Sequence, residues 1–409
     1  MAALSARLLY RVGSAAKLVT GKSLTVQNDR IDSVDFWRGV ALAAILINHI
    51  PGNVLGVLTP RNFAFSDSAE IFVFLSGVSV FLAYGRRFAG GGARSAAMAL
   101  LRRAGRLYGA HLALSVAALL FFGLVTFFTP YDLLMADEGG GRIEPFLDPL
   151  TGLMGLAGLT HQLAFFNILP LYVLLMAAAP AMLFLAVRDP RILFLASAAV
   201  YATARGTGLN LPSWPGHNGW YFNPFAWQFM FSAGVGCAAL WRERGVPYLA
   251  PLYGVALGVS IGVALIVSEV FGLMPGLVDE AGRYLDWDKS ELGAARILSF
   301  LALAYAVAFS GVAGRLAGGR VHDFFRRLGR NALTTFCAGS MLSAGGQALR
   351  LALAADGLAT ALSDILFVGG ALFLLDGLTR WIEQARTPAR TPAPPVAHEA
   401  GDERGLTTA

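Results

Sequence analysis

Arg38 and His49 lie eleven positions apart in the stretch "RIDSVDFWRGVALAAILINHIPG", which starts charged and turns strongly apolar. As a helix, three turns take about 10.8 residues, so both side chains leave the same face, roughly 16 Å apart along the axis. Leu42 and Ile45 lie between them on that face, and Asp35, one turn before Arg38, is placed to pair with it. Ionisable groups inside an apolar span are costly, face a cavity as a rule and mark function. Histidine is also the side chain whose protonation suits proton transfer near neutral pH, so the pair reads as a cation and a general base on one rail. Each residue has an ordinary reading too: Arg38 as an interfacial residue that sets the orientation of the span, His49 as a packed histidine at the helix end.

The next apolar run opens with "FSDSAEIFVFLSG". A short connection returns Asp67 and Glu70 near the level of His49, where a carboxylate would fix the imidazole tautomer and stabilise the imidazolium. Asp67 has a second reading as the cap of the second helix. Ser76-Gly77 permits close approach of helices or ligand, and Ser76 as a covalent nucleophile is also open. The stretch "YGRRFAGGGARSAAMALLRRAGRLYGAH" holds Arg86, Arg87, Arg102, Arg103 and Arg106, which are candidates for phosphate recognition or simple orientation charges. Its glycine run has no P-loop pattern. His111 follows the cluster and is expected near the same end of its span.

Aromatic residues crowd "RGTGLNLPSWPGHNGWYFNPFAWQ". Trp214, Trp220, Tyr221, Phe222 and Trp227 are candidate sugar-stacking platforms, or an interfacial belt. His217, Asn218 and Asn223 offer hydrogen bonds there, and Gln228 is expected to line a cavity. His161, Gln162 and Asn167 form another polar patch, with capping an equal reading. Cys237 and Cys337 read as packed thiols, and the six histidines show no metal-ligand spacing, so no metal site is expected.

The elements that must carry these residues are membrane spans. Of 409 residues, 56% are hydrophobic and 14% charged, and mean hydropathy is +0.59. Ordinary globular domains carry about 25% charge. The fold class is therefore an all-α polytopic membrane protein, in which an apolar run of about 20 residues crosses the bilayer as a helix. The pattern predicts ten spans near 34–57, 69–85, 105–129, 165–187, 191–204, 223–241, 248–270, 293–313, 331–353 and 358–378. Segment 149–164 is too polar and Gly-rich for a span and reads as re-entrant or interfacial. Basic clusters follow alternate spans and the intervening loops are acidic, which puts both termini in the cytoplasm. Residues 1–30 form a basic cytoplasmic lead-in, 31–380 the membrane domain, and 381–409 a Pro/Ala-rich tail too poor in large apolar groups to fold alone. The net charge of +6 sits at helix ends and does not signal nucleic acid. No internal repeat of the transporter kind is visible.

Arg, ten residues, then His on the first of ten spans resembles the acyltransferase-3 superfamily. "DFWRGVALAAILINHIPGN", "LTPRNFAFSDSAEIFVFLSGVSVFLAYG", "NILPLYVLLMAAAP", "GWYFNPFAWQFMF" and "RLGRNALTTFCAGSMLS", in order between about residues 30 and 350, look like the OpgC family. That resemblance implies a succinyltransferase of the bacterial inner membrane. The donor would be cytoplasmic acyl-CoA, with succinyl-CoA the expected co-substrate, and the acceptor a periplasmic glucan. It implies His49 as the catalytic base and Arg38 as the motif arginine, with the arginine cluster on the phosphates of CoA. A succinyl group also needs a cation for its free carboxylate, for which Arg61 is the choice. The rival class is a transporter or flippase of an acyl donor or glycan. A third reading is a structural partner in a glucan-synthesis complex.

Overall fold

The structure is a computed structural model that describes residues 29–135, 141–216, 219–353 and 357–386. Among them every regular element is helical. Eleven helices frame the fold: α1 Asp29–Asn48, α2 Ser68–Ala89, α3 Ala93–Phe128, α4 Ile168–Arg188, α5 Pro190–Thr207, α6 Pro224–Arg244, α7 Ala250–Val267, α8 Ala294–Phe309, α9 Arg320–Arg330, α10 Ala332–Leu353 and α11 Leu358–Arg386. Each helix but α9 overlaps a stretch predicted as a span, though α1 stops at Asn48 where the predicted span ran to 57, and α3 begins at Ala93 where it began at 105. Five of them (α2, α3, α4, α7 and α11) are long and apolar enough to cross a membrane.

Local chemistry starts and stops these helices. Asp67 caps α2 by accepting from the Ala69 amide, and Glu70 returns to the Asp67 amide, a complete capping box. Asp189 with Pro190 opens α5, and Asn223 with Pro224 opens α6. The run "RVHDFFRRLGR", expected within a basic loop, folds as amphipathic helix α9. Phe324, Phe325 and Leu328 turn inward at helical spacing, while Arg326 and Arg327 reach Asp32 and Asp376.

Two crossings organise the bundle, α2 against α6 and α1 against α9. Both rest on reciprocal glycines. A Cβ on Gly77 would overlap the Phe231 carbonyl, and one on Gly234 would overlap that of Phe74. At the other crossing Gly39 meets Phe325 and Gly329 meets Asp35 in the same way. Backbones this close are what small residues permit in membrane helices. Gly77→Ala is therefore expected to cost roughly 1–3 kcal/mol, because backbone cannot rotate away. Gly254→Ala on α7, where the added methyl meets open space, should gain a few tenths to ~1 kcal/mol from helix propensity. Thermal unfolding of the two variants in detergent checks the contrast in sign.

Segment 149–164 dips along α3. Phe146 packs at Gly123, and the short helix Pro149–Ala157 then runs to Tyr108, whose hydroxyl donates to the Ala157 carbonyl at 2.7 Å. Those two α3 positions are fifteen residues apart, about 22 Å of helix. The chain then returns through Leu159 and Phe165, both at positive φ, to the start of α4.

Candidate active site

The ends of α1, α2, α4 and α8, Phe336 of α10, the loop before α6 and the returning segment surround a cavity of about 1030 Å³. It opens at the end of the bundle that carries the acidic loops. Asn48 and His49 contribute from the end of α1, Asp67 and Ser68 from the start of α2, and Gln162, Phe165 and Asn167 from the returning segment. Trp214, Trp220, Tyr221 and Phe222 form an aromatic wall, and Arg61, Glu144, Lys289 and Arg296 add charge.

His49 follows the last residue of α1, and its amide still donates to the Ile45 carbonyl at 2.9 Å. Its ring therefore keeps the helical direction toward the cavity. The Gln347 side chain donates to the His49 carbonyl at 2.7 Å and accepts from Arg142 at 2.7 Å, which ties this end to α10. Phe165 flanks the imidazole with ring centroids 5.0 Å apart. The His49 Nδ1 is buried without a hydrogen-bond partner.

Asp67 lines the cavity with His49, Glu70 lies outside the lining one turn further along α2, and both bond to cations. Asp67 Oδ2 meets Lys289 Nζ at 2.5 Å and Arg296 at 3.3 Å, and Glu70 Oε1 accepts from Arg296 Nε at 2.6 Å. Glu70 is fully buried and Arg296 nearly so. Burial alone would raise the Asp67 carboxyl, but Lys289 and Arg296 outweigh it and hold it far below the usual carboxylate range. Burial likewise opposes the Lys289 ammonium, and Asp67 more than offsets that, leaving its pKa raised. Neither carboxylate bonds to the imidazole. Sequence reasoning missed Lys289 and Arg296, although a signal was present. The chain has three lysines, Lys17, Lys22 and Lys289, and Lys289 alone stands inside an acidic loop.

Arg38 is buried two turns below Ile45, with Nη1 3.4 Å from Asp35, its guanidinium 5.8 Å from the Phe72 ring centre and Nε without a hydrogen-bond partner. The cavity lining stops at Ile45, and Ala41 and Leu42 are buried between. Of the arginine cluster, Arg103 is half-buried within electrostatic range of Arg38, while Arg86, Arg87, Arg102 and Arg106 are exposed. Arg38 and His49 thus share one helix and one face, with a closed stretch separating them.

The substrate-side candidates divide. Arg61 and Trp220 line the cavity. Asn223, Trp227 and Gln228 do not. Asn223 caps α6 and donates to Glu291 at 2.8 Å; Trp227 donates to the Lys289 and Ser290 carbonyls at 3.0 and 3.2 Å; Gln228 bonds to Ser197. Asn223 and Trp227 hold the loop that presents Lys289. His217 and Asn218 lie outside the described residues. His161 is buried with Nδ1 2.9 Å from the Trp214 carbonyl. His111 lies midway along α3 rather than at its arginine-rich end, beside Leu156 and His161. Ser76 meets the Tyr172 hydroxyl at 3.2 Å, away from the cavity. Among the described residues no three His, Cys, Asp or Glu side chains gather as a metal site.

Membrane-length apolar helices, with a cavity open at one end of the bundle that carries an imidazole, an aromatic wall and buried ion pairs, define a polytopic membrane protein. The family model described as OpgC protein matches residues 30–386, and the chain belongs to the OpgC family. No curated protein and no solved structure matches it.

Proposed function

We propose that this chain is an O-acyltransferase of the bacterial inner membrane that moves an acyl group, succinyl by family, from cytoplasmic acyl-CoA to hydroxyls of a periplasmic glucan. The ten long helices then span the bilayer, both termini are cytoplasmic, and the cavity faces the periplasm. The observation that carries the reading is the His49 imidazole, free of any carboxylate, on the wall of a cavity of about 1030 Å³ lined by aromatic side chains.

A glucan stacked on Trp214 and Tyr221 brings a hydroxyl to His49, since flat apolar ring faces suit the C–H faces of sugars, while Trp220, buried and bonded to the Pro212 carbonyl, braces the wall. His49 removes the hydroxyl proton, the oxygen attacks the thioester carbonyl, and the C–O bond forms as the C–S bond breaks. The leaving thiolate takes the proton from the imidazolium, which restores the base. Holding both substrates in one cavity supplies much of the remaining rate. Arg61, which shows no ion pair among the described residues and lines the same wall, meets the free carboxylate of a succinyl group. At the cytoplasmic end Arg38 and Arg103 take phosphate oxygens of CoA. Because Ala41 and Leu42 close the way between Arg38 and the cavity, donor binding is coupled to a local parting of side chains along α1.

Mass spectrometry of periplasmic glucans from cells with and without this protein tests the reading. Succinylated glucans are expected only when it is present, and identical glucan masses in the two would overturn it.

A further inference from the structure

A general base works only if its ring is aimed, and the usual device for aiming it is missing at His49. In hydrolase triads a carboxylate bonds to Nδ1 and fixes the imidazole. Here Nδ1 is buried without a hydrogen-bond partner, and Asp67 and Glu70 are bonded to Lys289 and Arg296. Phe165 packs against the ring but gives it no hydrogen bond. The direction of the imidazole is therefore set by the main chain that carries it. That main chain lies at a weak place. His49 follows the last residue of α1, and the carbonyls of a final helical turn have no partner within the helix.

Helix α10 supplies the partners. Ser343 and Gln347 stand one turn apart on the same face of it. The Ser343 hydroxyl lies 2.9 Å from the Leu46 carbonyl, a bond it shares with the Gly339 carbonyl, and the Gln347 amide donates to the His49 carbonyl at 2.7 Å. Chemistry permits that amide one orientation. Arg142 offers only donors, so it meets the amide oxygen, at 2.7 Å, and the amide nitrogen is left for the His49 carbonyl. Arg142 is buried, with Nη1 3.1 Å from the Leu133 carbonyl and its guanidinium carbon 4.0 Å from the Phe122 ring centre. Gly141 and Glu144, on either side of it, line the cavity, so the segment that walls the cavity also locks Gln347. Neither Arg142 nor Gln347 belongs to the lining itself.

We infer that Gln347, locked by Arg142, is the positioning residue of the base: it acts on the main chain of His49 where a triad carboxylate acts on the ring. This rests on His49 being the base and adds what aims it. Without the amide the end of α1 is free to shift, and a displacement of about 1 Å at the reacting groups costs on the order of 10²-fold in rate. Substrate binding survives, because the cavity lining is untouched.

Steady-state transfer from succinyl-CoA to glucan by the full-length protein in nanodiscs tests it. Gln347→Leu should lower kcat by about 10²-fold and leave both KM values within about twofold of wild type. Gln347→Glu fills the same space and keeps the bond from Arg142, but a carboxylate has nothing to donate to the His49 carbonyl, so it should be as slow. Should the Leu variant fail to give a single elution peak, the Glu variant decides by the same criteria. Arg142→Met should lower kcat in the wild-type background and add nothing to Gln347→Leu, because it acts through that amide. In a His49→Ala background Gln347→Leu should cause no further loss, whereas general loosening of the fold would slow both backgrounds alike. A kcat within about threefold of wild type in the Gln347 variants overturns the proposal and leaves His49 as the base. So does a raised KM at unchanged kcat, or an equal loss in the His49→Ala background. Wild-type turnover in His49→Ala overturns both readings.

Discussion

His49→Ala is expected to lower acyl transfer by about 10²–10⁴-fold, the usual worth of a general base, in a protein that still folds. The packing around the ring supports the second half of that statement. The imidazole touches Phe165 and the cavity, so truncation enlarges an existing space rather than opening a sealed void. The contact that anchors this end of α1 runs from Gln347 to the backbone carbonyl of residue 49, and alanine keeps it. A stability cost of no more than about 1 kcal/mol is therefore expected.

His49→Gln separates chemistry from shape, since it fills much of the same space without a basic nitrogen. Transfer from succinyl-CoA to glucan by purified protein should be as low in the Gln variant as in the Ala variant. Activity within a few-fold of wild type in either would remove His49 from the mechanism. The measurement also separates the enzyme reading from a transporter, which would give no acylated glucan even in wild type. An acyl-histidine route uses the same residue, and incubation with donor alone distinguishes it: acyl mass on the peptide containing His49 marks the covalent path.

The sequence pattern exposed what depends on spacing within one element. Arg38 and His49 sit on one face because three turns nearly equal eleven residues, and "DSAE" closes a capping box because its partners are three apart. What escaped depends on contacts between distant segments. Lys289 and Arg296 reach Asp67 and Glu70 across more than two hundred residues of chain, and no periodicity encodes that. Trp227 and Asn223 looked like substrate contacts because aromatic and amide side chains serve sugars and helix ends equally. Helix α9 was hidden for a different reason. Its five charged residues pull the average hydropathy down, while the spacing of Phe324, Phe325 and Leu328 marks the buried stripe.

Arg296→Met is expected to destabilise the protein by about 3–5 kcal/mol, the cost of stranding a buried charge. Glu70 would lose its cation while remaining fully buried, and Asp67 would keep only Lys289. Lys289→Met should cost less, because that side chain is about one-third exposed and Arg296 still faces Asp67. The pair Glu70→Gln with Arg296→Met isolates the interaction. Gln retains a carbonyl to accept the Asp67 amide, so the cap survives while the stranded charge disappears. Thermal unfolding should show the double variant more stable than Arg296→Met alone, with a coupling of roughly 0.5–3 kcal/mol. Strict additivity would show that the four charges do not act as one clamp. The pH dependence follows from the depressed pKa of Asp67. Its stabilisation is complete above the unfolded value near 3.8 and is lost as pH falls through the lower folded value. This group should therefore leave the unfolding midpoint flat between pH 8 and pH 5. Since the same clamp fixes the loop that Trp227 and Asn223 brace, losing it should also disturb the cavity wall formed by Lys289 and Ser290. Glucan affinity should then fall in proportion to the stability lost, without the change in pH profile expected from removing the base itself.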